Sequence, residues 1–305
     1  MDADYVRPGL AAAHIVTHEG RAAFVDTGTT HSVPHLLAAL EVLGIRREAV
    51  DWVMLTHVHL DHAGGAGALM QALPNARAVL HPRGAPHLID PARLVSASIA
   101  VYGESRYREL YGEIVPIPAE RVVVTKDEER LSLAGREFEI LHTPGHALHH
   151  QCIVDLRHRG IFAGDTFGLS YRELDTAKGA FVIPTTTPTQ FDPEQLIASV
   201  ERLLARDPEA IYLMHYSRVT DVQRLGASLK TQIGRLADIA RRHSDRPDRK
   251  QAIMNDMRQM WHDMLREHGC TLGASQIDEL LAVDLELNAQ GLEAWLDRQK
   301  TKRAQ

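Results

Sequence analysis

Short apolar runs that stop at a polar residue or a turn recur through roughly the first 220 residues, and they constrain the fold more than any other feature of the chain. Ala22–Asp26, Trp52–Leu55, Ala76–Leu80, Val122–Val124, Phe138–Leu141, Cys152–Val154, Ile161–Phe162 and Ile211–Met214 share this form. Runs of that length bounded by turn residues read as buried strands. Between them, His35–Leu43 and Pro193–Ala205 carry apolar residues at helical spacing, with Leu36, Leu37, Leu40 and Leu43 on one face. Asp192-Pro193 has the form of an N-cap followed by proline at the first helical position. Pro91–Tyr111 reads as a helical insertion.

Beyond about residue 220 the period changes. Leu225, Leu229, Ile233, Leu236 and Ala240 lie on one helical face, and Ile253, Met257, Met260, Trp261 and Met264 on another. Asp245-Arg246-Pro247-Asp248 separates these helices, and Gly269 or Gly273 ends the second. Gln276–Leu285 and Gly291–Lys300 follow as two further helical stretches. The expected organisation is a strand-rich domain over residues 1–220 and an all-helical subdomain over 221–305, acting as a lid or a dimerisation surface.

A chain of 305 residues can bury most of its potential surface without a disulfide staple, and its two cysteines, Cys152 and Cys270, are far apart. That usage suits a reducing cytosol and excludes a four-cysteine zinc site. The net charge of −6 argues against a polyanion partner, so no nucleic acid is expected. The acidic start Met1-Asp2-Ala3-Asp4 does not resemble a signal peptide, and no apolar run approaches the ~18–20 residues of a membrane span. A cytoplasmic protein with no membrane partner is the expectation.

Histidine is over-represented, with 18 copies, and histidine is the commonest metal ligand. Three copies fall in Thr56-His57-Val58-His59-Leu60-Asp61-His62-Ala63-Gly64-Gly65, just beyond the run Trp52–Leu55 and before the apolar helix Ala66–Leu73. Imidazole and carboxylate are donors that zinc, iron and manganese share. Alternate residues of an extended segment point the same way, so His57 and His59 can converge on one ion. Asp61 and His62, where the chain turns, can face a second. Thr143-Pro144-Gly145-His146, Gly164-Asp165-Thr166 and Met214-His215-Tyr216 repeat the placement of a donor just past a strand end. A rigid sheet gathers ligands distant in sequence in this way.

The series resembles the metallo-β-lactamase superfamily: H-x-H-x-D-H, then a His after Pro-Gly, an Asp after a small residue and Gly, and a final His. The resemblance covers about residues 10–220 and includes Asp26 in Val25-Asp26-Thr27-Gly28. It implies an α+β fold, the four-layer αββα sandwich, here followed by a C-terminal all-helical subdomain. It also implies a binuclear site at one sheet edge, with His57, His59 and His146 on the first metal. Asp61, His62 and His215 would hold the second, and Asp165 would bridge the two. Lactam-cleaving members with a Cys ligand carry it where Asp165 stands, and the flavodiiron branch has Glu at the position of His59. The Asp bridge is instead similar to the glyoxalase II, lactonase and RNA-processing branches, though nothing resembles the extra nuclease domain of the last.

The chemistry then expected is metal-dependent hydrolysis of an ester, thioester, lactone or phosphodiester of a small-molecule substrate. Two divalent ions, zinc first and iron or manganese otherwise, lower the pKa of a shared water so that a bridging hydroxide attacks, and they stabilise the developing oxyanion. Asp61 is the candidate proton donor to the leaving group, and Asp26, His149 and His150 are expected to orient the ligands. Tyr171 and Arg172 are candidate substrate contacts, because the segment Thr166–Gln190, which also holds Phe167, Phe181 and Thr185-Thr186-Thr187, has the length of a binding loop. Tyr107 and Tyr111, four residues apart, are expected to pack.

The methionines Met254, Met257, Met260 and Met264 would suit a lid over a lipid-like substrate, as in the glyoxalase II and quinolone-signalling-effector branches, a homodimer surface, or a helical core. The basic end, Arg298, Lys300, Lys302 and Arg303, complements a helix C-terminus. Two other functions compete. One is an iron-dependent oxidoreductase of persulfide dioxygenase or oxygen-binding di-iron type on the same fold. The other is an effector whose helical subdomain binds a partner.

Overall fold

A computed structural model describes residues 1–186 and 189–304, with side chains through residue 301. Of the residues singled out above, Thr187 and the side chains of Lys302 and Arg303 lie outside the described residues. The chain divides into two compact units, Met1–His142 with His149–Gly164 and Pro208–Arg218, and Thr143–Leu148 with Asp165–Asp207 and Val219–Gln305.

The first unit is built on two mixed sheets. One runs in order β1 (His14–His18), β2 (Arg21–Val25), β3 (Val50–Met54), β4 (Arg77–Leu80), β5 (Val122–Val124). Its first pair is antiparallel and the remainder parallel, so β2, β3 and β4 end on the same side. The other sheet contains β6 (Arg130–Leu133), β7 (Arg136–His142), β8 (Gln151–Asp155), β9 (Gly160–Gly164), β10 (Ala210–Leu213) and β11 (Ser217–Val219), ordered β11-β10-β9-β8-β7-β6. The sheets share a core in which Val16, Val25, Met54 and Val79 meet Leu133, Phe138, Ile140 and Ile153. The other side chains of the first sheet, including Phe24, Val53 and Leu80, pack beneath α1 (Val33–Val42), α3 (Ala66–Ala72) and α4 (Ala85–Ile89), with the one-turn α2 (Leu60–Ala63) preceding α3. A strand presents successive side chains to opposite faces, which is how one short run serves both cores.

The insertion expected over Pro91–Tyr111 is two helices, α5 (Ala92–Tyr102) and α6 (Glu104–Tyr111), broken at Gly103 with φ +75°. Tyr107 and Tyr111 do pack, with Leu60, Ile114 and Tyr5. Strands β1 and β6 escape a search for apolar runs, because His14–His18 is polar at both ends and Arg130–Leu133 alternates exposed and buried.

The second unit contains α7 (Pro193–Leu204), α8 (Val222–Arg242), α9 (Arg249–His268), α10 (Ala274–Leu280) and α11 (Ala282–Ala304). Asp192 caps α7 as its sequence foretells, its side chain accepting from Gln195 N at 3.0 Å. Leu225, Leu229, Ile233 and Leu236 of α8 are buried with Ile253, Met257, Trp261 and Leu265 of α9. Met257 is the one buried member of the methionine series, and the other three are partly exposed. The last two helices break at Leu281 rather than between 285 and 291: Gly291 lies inside α11. A lone glycine costs about 1 kcal/mol in a helix interior, which packed neighbours override. Lys300 pairs with Asp245, and Arg298 donates to the carbonyls of Thr189 and Phe191. Among the described residues no helix is long and apolar enough to cross a membrane. The fold class is the expected α+β, two mixed sheets with helices and a helical C-terminal region.

Candidate metal centre

In the first unit, β3 leads straight into the histidine-rich segment. His59 is extended, at φ −62° and ψ 145°, and opens α2, so the chain turns between the His57/His59 pair and the Asp61/His62 pair. The side chains of His57 and His59 lie with Nε2 and Nδ1 at 2.8 Å. His215 follows β10 by two residues. Donor atoms of Asp61, His62 and His215 all lie within 4.8 Å of one another. His215 Nε2 stands 3.3 Å from Asp61 Oδ2, and His62 Nε2 stands 3.8 Å from it.

The far nitrogen of each ring is occupied. His215 Nδ1 is 2.8 Å from the carbonyl of Leu10, a group that only accepts, so Nδ1 carries the hydrogen and Nε2 is left to the cluster. His62 Nδ1 is held in the same way by Asp26 Oδ2 at 3.0 Å. Asp26 also accepts from the Thr56 backbone N–H and hydroxyl, both at 2.8 Å. The single hydroxyl hydrogen of Thr56 is thereby spent, and its oxygen accepts from His57 Nδ1 at 3.2 Å. One buried carboxylate therefore orients two of the imidazoles. Its φ of +54° is a left-handed conformation that Asp tolerates better than most residues. The rings of His150 and His149 stack on His57 at centroid distances of 4.8 and 6.1 Å.

The second unit carries the other two expected ligands. The loop Thr143–His146 is tied to α7: Gly145 O accepts from Asp192 N at 2.8 Å, and Pro144 O accepts from Ser199 Oγ at 2.6 Å. A Cβ on Gly145 would lie 2.3 Å from the backbone of Leu196, so only glycine permits this approach. His146 Nε2 stands 3.4 Å from Asp165 Oδ2. Its Nδ1 faces Thr185 O at 3.3 Å and Thr185 Oγ1 at 3.0 Å. The Thr185 hydroxyl gives its hydrogen to the Asp165 carbonyl at 3.1 Å, so here too Nδ1 is the donor and Nε2 is free of a hydrogen.

Tyr171 and Arg172, the candidate substrate contacts, are engaged within the second unit. Tyr171 is buried with its hydroxyl donating to Asp284 of α11, at 3.2 and 3.3 Å to the two carboxylate oxygens, and Arg172 pairs with Asp175. The sequence does not single out the carbonyl of Leu10 or the hydroxyl of Thr185 as partners of the candidate ligands His215 and His146. A main-chain carbonyl carries no sequence signal, and a threonine in a loop carries little.

Imidazole rings with Nδ1 hydrogen-bonded and Nε2 turned to a carboxylate fit a divalent transition ion, since metal-bound histidines nearly always donate the other ring N–H to such a partner. The sequence family described as the metallo-beta-lactamase superfamily matches residues 6–215. The chain belongs to the metallo-beta-lactamase superfamily. A metallo-beta-lactamase fold-containing protein, ST1585 of Sulfurisphaera tokodaii, is 25% identical over 212 residues, 68% of this chain and 73% of that protein. Its solved structure superposes with a TM-score of 0.60 over 73% of this chain and 80% of its own. The hydroxyacylglutathione hydrolase of Aeromonas hydrophila is 29% identical over 203 residues, 66% of this chain and 59% of the enzyme, so the chain spans about three fifths of that relative. A structure of TTHA1623 in a di-iron-bound form, 27% identical, superposes with a TM-score of 0.50 over 72% of this chain and 94% of that one.

Proposed function

We propose that this superfamily member is a binuclear metal-dependent hydrolase acting on an ester-type bond of a small molecule, a thioester first among ester, thioester, lactone and phosphodiester. The observation that carries the reading is the tautomer selection. His57, His62, His146 and His215 each have Nδ1 committed to an acceptor, which reserves Nε2 as a metal donor. His57, His59 and His146 would hold one ion and Asp61, His62 and His215 the other, with Asp165 shared. The thioester preference draws on the hydroxyacylglutathione hydrolase relatives.

Two bound divalent ions would supply hydroxide at neutral pH and polarise the scissile carbonyl. The chain's part is to hold those ions rigidly and to manage protons. Asp61 has the most exposed side chain of its cluster, 22% accessible against 0% and 11% for His62 and His215. It can therefore exchange a proton with solvent and deliver it to a leaving group. Asp26 is buried with three donors on its carboxylate, so its part is to orient its neighbours.

Elemental analysis of protein purified without added metal, with a visible spectrum alongside, tests the proposal. Close to two zinc or manganese ions per chain and turnover of an acyl thioester support it. A colourless protein that binds no ion, or an Asp165→Ala variant with full activity, would sink it. The relative solved in a di-iron-bound form supports a second reading, iron-dependent redox chemistry. Iron with absorbance that responds to oxygen, and hydrolysis that appears only after reloading with zinc, would put that reading first.

A further inference from the structure

The peptide group joining Thr185 to Thr186 is bonded at both edges. Its carbonyl faces His146 Nδ1 at 3.3 Å, and its N–H donates to Asn288 Oδ1 at 2.6 Å. A peptide group is planar and rigid, so fixing one edge fixes the direction of the other. Asn288 lies in α11, 102 residues further along the chain, and is 2% exposed. It grips Thr186 a second time, because the Thr186 hydroxyl lies 2.7 Å from Asn288 Oδ1 and 3.0 Å from Asn288 O. Its own amide donates to Asp284 O at 2.8 Å, one turn earlier, which holds the side chain in a single orientation. Thr185 adds its hydroxyl, set between His146 Nδ1 and the Asp165 carbonyl. Asp284 in turn receives the Tyr171 hydroxyl, a second clasp between α11 and the segment that follows Asp165.

We propose that Asn288 of α11 is a positioning residue for the His146 ligand, acting through the Thr185–Thr186 peptide. The C-terminal helix is then part of the support of the metal centre rather than an appendage to it. The inference rests on the reading of His146 as a metal ligand given above. Replacing Asn288 with a residue that cannot accept would leave the buried Thr186 N–H unsatisfied, while the Thr186 hydroxyl keeps the main-chain carbonyl of residue 288, and would free the peptide plane to rotate. The Thr185 carbonyl would no longer hold the Nδ1–H tautomer of His146 in register. Partners of this kind, one bond removed from a ligand, typically change metal affinity by about 10–100-fold.

The test is chelator-competition titration of the full chain with zinc and with cobalt, recording the visible cobalt spectrum. Asn288→Ala and the isosteric Thr185→Val should each weaken one of the two ions about tenfold. The double variant should lose little more than either single one, since both act on the same nitrogen, His146 Nδ1. Leu292→Ala, which removes a buried apolar contact of the same helix, serves as the control for stability alone. Wild-type affinities in Asn288→Ala would overturn the inference. So would an equal loss of affinity in Leu292→Ala at a matched fall in Tm. Should Asn288→Ala not fold, the near-isosteric Asn288→Leu, which also lacks the acceptor for the Thr186 N–H, carries the same test, with wild-type affinity again overturning it. His146→Ala separates the two levels. If His146→Ala itself leaves both ions bound normally, the ligand reading fails; if it weakens one ion and Asn288→Ala does not, only the coupling fails.

Discussion

His215 turns its Nε2 toward Asp61 Oδ2, at 3.3 Å, because its Nδ1 is anchored on the carbonyl of Leu10 at 2.8 Å. An imidazole nitrogen and a carboxylate oxygen converging at that distance suit a metal ion held by both. His215→Ala should therefore reduce metal stoichiometry from two ions to one, with the residual ion bound as in the wild type. Elemental analysis after dialysis against a weak chelator measures this, and two retained ions would show that His215 is no ligand.

Asp26 accepts from Thr56 twice and from His62 once while almost fully buried. Asp26→Asn keeps the shape and the tolerance of positive φ but exchanges one acceptor for a donor. It should cost about 2–3 kcal/mol of stability through the donors left facing an amide. It should also lower metal affinity about tenfold or more by loosening His57 and His62 together. Denaturant titration and chelator competition read the two effects separately.

Gly164 ends β9 at φ +45°, and a Cβ there would lie 2.6 Å from Thr56 Oγ1 and 2.7 Å from His150 Nε2. Neither atom belongs to a long flexible side chain, and Thr56 is committed to Asp26. Gly164→Ala should destabilise the protein by about 1–3 kcal/mol, combining overpacking with an unfavourable φ. An unchanged melting temperature would mean that the strand end relaxes freely.

His14 packs against the rings of Phe162 and Tyr212, and desolvation there pushes its pKa down to about 4, a fall that the hydrogen bond to Leu213 O only partly offsets. In the unfolded chain the ring titrates near ~6.5. The unfolded state therefore takes up the proton first as pH falls, and the stability His14 contributes is full above pH ~6.5 and is lost toward pH ~4. His14→Gln keeps a donor for Leu213 and does not titrate, so its stability should decline less than the wild type's across that window. Parallel curves would remove His14 as a contributor.

The candidate ligand segments are legible in the sequence because their signal is local. A strand end releases the next few residues from the sheet's hydrogen-bond ladder, and His57, His59, Asp61 and His62 stand within six positions of one another. His146, Asp165 and His215 repeat the form singly, and order along the chain linked them to the family. Strand β6 was missed because alternating burial at an edge leaves no apolar run, and the break expected inside α11 was misplaced because packing outweighs one glycine.

The candidate ligands and the fold class thus follow from side-chain chemistry and from periodicities a few residues long, which the order of residues encodes directly. Which nitrogen of each ring is presented does not. Leu10 lies 205 residues from His215, Asp26 lies 36 from His62, and Asn288 lies 102 from the threonine it grips. Tautomers are chosen by acceptors brought alongside through folding, several of them main-chain carbonyls that every residue possesses. Only the packed chain selects which of those carbonyls meets an imidazole.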